Sequence, residues 1–291
     1  MLNNVVQAGF FDNRVRVVCT NSTDIVKESV IRHDLSPMSS VILGRLLSAS
    51  ILLGSWMSEK ERVTLMISTN DDVGDIVAQS NSNLEVKGYI SNKKLEAVFK
   101  ENGKFDVSKV LKNGSLNVIR DLGLKKPVVS NMPLINGEIA EDIAYYMNQS
   151  EQVPSAVSLG VFADKEGIVS AGGLMLQILD RTMKDEDIAF FEKTFINMDS
   201  ISSLLRKKSL EDIIKVFGNP DYIEYKNSSF VCNCSKEKVL NSLITFNFDE
   251  LEEMKKDNEL AVHCSWCSKK YEINSKDLDE VINIKRRSDN A

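Results

Sequence analysis

Four of the five cysteines in this 291-residue chain fall in its last quarter, as Cys232-Asn-Cys234, then 29 intervening residues, then Cys264-Ser-Trp-Cys267. Two close pairs joined by a loop long enough to fold back can present four thiolates to one tetrahedral Zn²⁺. The second pair has the ordinary C-x₂-C spacing of zinc modules, whereas the first has a single spacer residue. So short a spacer lets both sulfurs face one metal and also leaves them close enough to oxidise together. A disulfide over such a small loop departs from relaxed geometry, and strained disulfides lie at the labile, regulatory end of the redox scale. The spacing points to a zinc site that can double as a switch. A purely structural zinc site and a coincidence of unrelated cysteines stay open beside it. Four thiolates already complete a tetrahedron, so His263 is left a surface or outer role. Trp266, between the paired cysteines, is expected to pack on the site.

The elements that position these residues follow from composition and periodicity. With 43% hydrophobic and 27% charged residues, the chain can bury a real core in one large or two ordinary domains. A net charge of −6 argues against nonspecific attachment to nucleic acid or an anionic membrane. The lone Cys19 reads as a small buried hydrophobe, and the uneven cysteine distribution fits a reducing, cytosolic setting better than a secreted disulfide framework. The opening Met1-Leu2-Asn3-Asn4-Val5 leads into Gln7, Asp12 and Arg14 without the apolar run of a targeting segment. The greasiest stretch, Val41 to Met57, is interrupted by Arg45 and several serines and is expected to be too short to span a bilayer.

Residues 14–20 are expected to form a strand, and Ile25, Val26, Ser29 and Val30 mark a helical face running to a solvated end at His33. Ser36 and Pro37 cap and start a longer helix whose apolar residues wrap most of its circumference, so it should lie across a sheet, with Gly44 and Gly54 allowing close packing. Val63, Leu65 and Ile67 alternate as a half-buried strand, and further short strands fit Ile76–Gln79 and Leu84–Ile90. Asn102-Gly103 and Asn113-Gly114 signal hairpins or turns. Glu138–Met147 reads as a helix with acids in its first turn, where the helix dipole accounts for Glu141 and Asp142. Val157–Val161 and Leu174–Ile178 then flank Asp164-Lys165-Glu166-Gly167 as a hairpin that closes a mixed α+β N-terminal domain, residues 1–178.

Over 179–225 the texture becomes that of an amphipathic helical linker. Ile188, Phe191, Phe195 and Ile196 share one face, followed by Ile201, Leu204 and Leu205, then by Ile213, Ile214 and Phe217. Such short helices either form a permanently packed layer or come loose when a neighbour is lost. Residues 226–291 form a small C-terminal zinc-binding domain with four cysteine ligands, with helices from Ser235 to Leu243, over 249–256 and over 277–284, and strands at 260–262 and 270–273. A piece this small buries little, whereas metal binding supplies on the order of 10–16 kcal/mol in zinc modules. Were the metal lost, Phe191, Phe195, Ile213, Ile214 and Phe217 would be candidates for an exposed protein-binding patch.

Two other functions compete. A zinc-ribbon nucleic-acid module would want a basic surface, but residues 227–291 carry 10 Lys and Arg against 12 Asp and Glu. A thiol–disulfide oxidoreductase would want one exposed C-x-x-C at a helix start beside a βαβ unit, which the second cysteine pair does not offer. The sequence has no P-loop, G-x-G-x-x-G or H-E-x-x-H, and its two histidines supply little acid–base chemistry.

Beyond these local readings, the chain resembles the redox-regulated heat-shock chaperones of the 33-kDa chaperonin family over nearly its whole length. The resemblance rests on Cys232-x-Cys234 and Cys264-x-x-Cys267 followed by Tyr271, on Asn136–Ala144, Ser150–Ser155, Leu159-Gly160-Val161 and Ala171-Gly172-Gly173, and on Pro37, Gly44–Leu47 and Lys87-Gly88-Tyr89. The turn Asn70–Gly74 and the stretch Pro127–Pro133 depart from the family pattern. The resemblance implies a cytoplasmic, ATP-independent holdase rather than an enzyme, folded and inactive while reduced and zinc-bound. It implies that oxidation pairs Cys232 with Cys234 and Cys264 with Cys267, releases zinc, and unfolds the C-terminal domain with its linker. The opened homodimer would bind unfolded or partly folded client proteins, with no nucleic-acid or membrane partner.

Overall fold

Alternation of β-branched with polar residues sets the strands, and burial follows it: in Arg62–Ser68 the inward residues Val63, Leu65 and Ile67 are at most 1% exposed. The computed structural model describes residues 3–256 and 260–289, so Met1 and Leu2 of the opening stretch, and residues 257–259, 290 and 291 of the expected zinc domain, lie outside the described residues. In chain order the strands are β1 (Val5–Phe10), β2 (Val15–Asn21), β3 (Arg62–Ser68), β4 (Asp75–Asn81), β5 (Glu85–Ile90), β6 (Ser115–Asp121), β7 (Val128–Pro133), β8 (Ser155–Asp164), β9 (Gly167–Ile178), β10 (Tyr222–Lys226), β11 (Ser229–Phe230), β12 (Ala261–His263) and β13 (Lys270–Glu272). The helices are α1 (Thr23–His33), α2 (Pro37–Gly54), α3 (Val107–Val110), α4 (Ala140–Gln149), α5 (Asp185–Ile196), α6 (Ile201–Leu204), α7 (Leu210–Ile214), α8 (Lys236–Leu243), α9 (Phe248–Met254) and α10 (Ser275–Asp289). The fold is mixed α+β and divides into two units, Met1–Val231 and Cys232–Ala291.

In the first unit one antiparallel sheet runs β10-β1-β2-β9-β8, and a second runs β11-β5-β4-β3-β6-β7 with only the β11–β5 pair parallel. Helix α2 lies between them, against β2, β8 and β9 on one side and β3, β4 and β5 on the other. Its all-round apolarity is what two covering sheets demand. Ser36 Oγ accepts from the Ser39 amide and Pro37 opens the helix, as the cap signal indicates. By length and composition alone α2 matches a membrane span, contrary to the expectation of a stretch too short, but it is buried as the core helix of this unit. Arg45, within α2, is accommodated by Glu138, whose carboxylate accepts from its Nη1 at 2.7 Å and also pairs with Lys100.

Several expectations are corrected by packing. His33 is 2% exposed rather than solvated, because it lies one turn beyond buried Ser29 on the inner stripe of α1. Helix α4 starts at Ala140 rather than Glu138, since Ile139 takes a left-handed φ of 71°. Asp142 does more than answer the helix dipole: its carboxylate accepts from the amides of Ile135 (2.6 Å) and Ile139 (2.9 Å) and gathers the preceding loop. The turn signals, by contrast, hold: Asn113-Gly114 turns the chain from α3 into β6, and Asn102-Gly103 closes a small loop in which Phe99 bridges Phe105.

Residues 180–217 form a layer on the first sheet. Phe191, Ile213, Ile214 and Phe217 are at most 1% exposed, over a face that includes Phe10, Val17, Cys19 and Leu176. The Phe191 ring meets Phe10 edge-on at 5.7 Å and stacks on Phe217 at 6.1 Å. Phe195 is partly buried in the same cluster, but Ile196 is 79% exposed, because five residues beyond Phe191 it has turned about 140° around the helix. Cys19 is fully buried here, and burial pushes its thiol pKa up. Helix α6 sits directly on the β8–β9 hairpin, and its seat explains two signature glycines. A Cβ on Gly160 would stand 2.9 Å from the Ser202 amide nitrogen, and one on Gly172 would stand 2.2 Å from the Thr20 carbonyl oxygen.

Gly172→Ala is therefore expected to force β2 and β9 apart and to lower the stability of this unit by about 2–3 kcal/mol. The midpoint of urea unfolding checks this. An unchanged midpoint would mean that the backbone contact is not tight in solution.

Candidate metal centre

The second unit has a small apolar core: among the described residues, eight buried side chains, including Leu243, Leu251, Ile273 and Val281. Local capping fixes its helices. Ser235 Oγ accepts from the Lys238 amide to start α8, as its sequence indicates. Asn247 and Glu250 cap each other's amides at 2.8 Å to start α9. Asn274 Oδ1 accepts from the amides of Lys276 and Asp277, which lets α10 begin at Ser275 and run well past the 277–284 expected.

These caps aim two cysteine-bearing turns at each other. Cys232 and Cys234 directly precede α8, and Lys238 Nζ donates to the intervening Asn233 carbonyl at 2.6 Å. Cys264 and Cys267 occupy the turn between β12 and β13. There the Cys264 carbonyl accepts from the amides of Cys267 (3.3 Å) and Ser268 (2.7 Å), and Ser268 takes a left-handed φ of 57°. The four sulfurs lie within 4.8 Å of one another. Cys232 and Cys264 are 3.8 Å apart, Cys234 and Cys267 are 3.4 Å apart, and all four thiols are free.

A tetrahedral ion with metal–sulfur bonds of about 2.3 Å holds its sulfurs about 3.8 Å apart. The donor set fits such an ion in both spacing and chemistry, so four thiols close together could hold a metal. His263 is exposed, with Nδ1 3.4 Å from the Ser268 carbonyl oxygen, and is not one of the group. Trp266 is half-buried within the turn.

One further residue belongs to the site. Tyr271, buried on β13, donates its hydroxyl to Cys234 Sγ at 3.1 Å. Burial works against a Cys234 thiolate, but donation from Tyr271 and then from the neighbouring thiols outweighs it and brings the pKa down to about 7. The bond to Cys234, followed by burial, pushes the Tyr271 hydroxyl up to about 12. Burial likewise raises Cys232, to about 12, and Cys267. The tyrosine stands in the sequence motif, but its aim at Cys234 emerges only once the β12–β13 turn is folded.

The sequence model described as Hsp33 protein matches residues 3–274. A 33 kDa chaperonin from Thermotoga maritima is 42% identical over 277 residues, covering 94% of this chain and 96% of the relative. Another from Acetivibrio thermocellus is 36% identical over 291 residues, covering 98% of each. The crystal structure of the Thermotoga maritima 33 kDa chaperonin superposes with a TM-score of 0.93 at 40% identity, covering 98% of this chain and 99% of that one.

Because the folded Cys234 pKa lies below its ordinary 9.0, its thiolate stabilises the metal-free unit above pH 9, and that contribution is lost as pH falls through about 7. Thiolate absorbance of the metal-free, reduced protein should show a step near pH 7 that moves towards 9 in Tyr271→Phe. A step that stays in place would remove Tyr271 from the site.

Proposed function

The chain belongs to the Hsp33 family and is a chaperone rather than an enzyme, and from that premise we propose that it is a holdase switched by the oxidation state of its C-terminal thiols. The observation that carries the reading is the meeting of four free sulfurs within 4.8 Å in a unit with a small core. In the reduced state Cys232, Cys234, Cys264 and Cys267 hold one Zn²⁺. When bound, the ion ties the segment before α8 to the β12–β13 turn, keeps the sulfurs as thiolates, and contributes on the order of 10–16 kcal/mol. Whole domains are stable by only ~5–15 kcal/mol, so a unit this small depends on that clasp.

Oxidation acts on the chain's own sulfurs. A peroxide oxygen transfers to one thiolate to give a sulfenic acid, and the second sulfur of the pair displaces it. Each pair thereby loses two electrons, and each peroxide leaves as two waters. The products are the disulfides Cys232–Cys234 and Cys264–Cys267. In the folded state sulfurs also meet across the pairs, Cys232 with Cys264 at 3.8 Å and Cys234 with Cys267 at 3.4 Å, between residues 32 and 33 apart in sequence. Once the unit loosens, those sulfurs separate, while the short tethers keep close neighbours together.

With no thiolates to grip a cation, residues 226–291 unfold, and the loosening runs back along the chain through the linker, 179–225. Covalent continuity supports this: β11 is a two-residue strand ending at Phe230, just before Cys232, and β10 rests on the edge of β1. Lifting the layer bares Phe191, Phe195, Ile213, Ile214 and Phe217 together with the sheet face beneath them, which forms an apolar surface for unfolded or partly folded client proteins. The opened form acts as a homodimer in the cytoplasm, without nucleotide, nucleic acid or membrane.

The test pairs an aggregation assay with zinc release and hydrogen exchange. Peroxide-treated, metal-free protein should suppress light scattering by a denaturing client, while zinc-loaded, reduced protein should not. Amide protection over 179–225 should fall about a hundredfold or more on oxidation. Full protection there, with no holding of the client, overturns the proposal.

A further inference from the structure

A cavity of about 250 Å³ opens in the first unit where the C-terminal end of α2 meets both sheets. It is remote in sequence from the thiols, and nothing in the holdase reading uses it. Part of its wall is apolar, from Leu53, Met57, Val63, Met147, Val153 and Met175, and the rest is polar. Methionines at such a wall adapt to the shape of an occupant.

Two guanidinium groups reach the cavity, and they are treated differently. Arg120 pairs with Glu151, which also accepts from the Tyr146 hydroxyl, so its charge is neutralised on the spot. Arg16, on β2, has no such partner. Its guanidinium lies over the Trp56 ring, 4.6 Å from the centroid, and among the described residues it has neither an ion pair nor a hydrogen-bond acceptor. Both Arg16 Nε and Trp56 Nε1 are buried donors without partners. The charged residues of the lining, Arg16, Arg120 and Glu151, leave one net positive charge.

Arginine stays charged in proteins, and its half-buried guanidinium, with Nε buried and unpaired, is left with donors that an anion can meet. Its fork geometry matches a carboxylate. One net positive charge suits a monoanion better than a doubly charged phosphate. We propose that this cavity binds a small monocarboxylate with an apolar body, its carboxylate on Arg16 and its hydrocarbon part against the methionine-lined wall.

Isothermal titration calorimetry of phenylacetate into the full, zinc-loaded, reduced chain tests this. Saturable binding at one site is expected, with phenylacetamide at least about tenfold weaker because it carries no charge to pair with Arg16. Arg16→Met should weaken phenylacetate by a similar factor, and inorganic phosphate should not compete. The acid–amide comparison uses the unaltered protein, so it stands even if the variant folds poorly. Equal binding of acid and amide, effective competition by phosphate, or no saturation by about 10 mM phenylacetate overturns the proposal.

Discussion

In the C-terminal unit four sulfurs are brought to one point. Its helices are short, its buried core is eight side chains among the described residues, and two turns distant in sequence meet only at those thiols. Gathering thiolates in a half-buried space is unfavourable on its own account, since burial raises the pKa of Cys232 and Cys267 and so favours the protonated thiols. The Tyr271 hydroxyl relieves part of this by donating to Cys234. Such a cluster suits a cation, and a fold organised around it lacks the large apolar core that would hold without one.

The first unit is built on the opposite principle. Helix α2 is covered by sheets on two sides, its one arginine is matched by Glu138, and the loop before α4 is gathered by Asp142. The signature glycines serve the same end. Gly160 and Gly172 are small because α6 and a neighbouring strand occupy the space where a side chain would stand. Residues 180–217 cover one face of the first sheet with short helices.

The sequence was most legible where a pattern and its partner lie close together. Val63, Leu65 and Ile67 announce β3, Ser36 and Pro37 announce α2, and the cysteine spacing announces a shared site. Periodicity put Phe191 on one apolar helix face and Ile213, Ile214 and Phe217 on another, but a face does not name its neighbour, here the sheet around Phe10 and Val17. Strand β10 was not legible because its residues are mostly exposed and only its backbone pairing with β1 makes it a strand. His33 misled because Asp34 and Pro37 suggest a helix end, whereas the inner stripe of α1 decides its burial. The aim of Tyr271 at Cys234, and the isolation of Arg16 beside a paired Arg120, depend on chain segments far apart in sequence.

The fifth cysteine gains a use from its place under the helical layer. Cys19 lies on β2, fully covered, with its thiol held protonated by burial, so an alkylating reagent has neither a path to it nor a nucleophile to react with. If the helical layer lifts as proposed, Cys19 would record the event, chemically separate from the four tail sulfurs, and a label there would count the opened molecules.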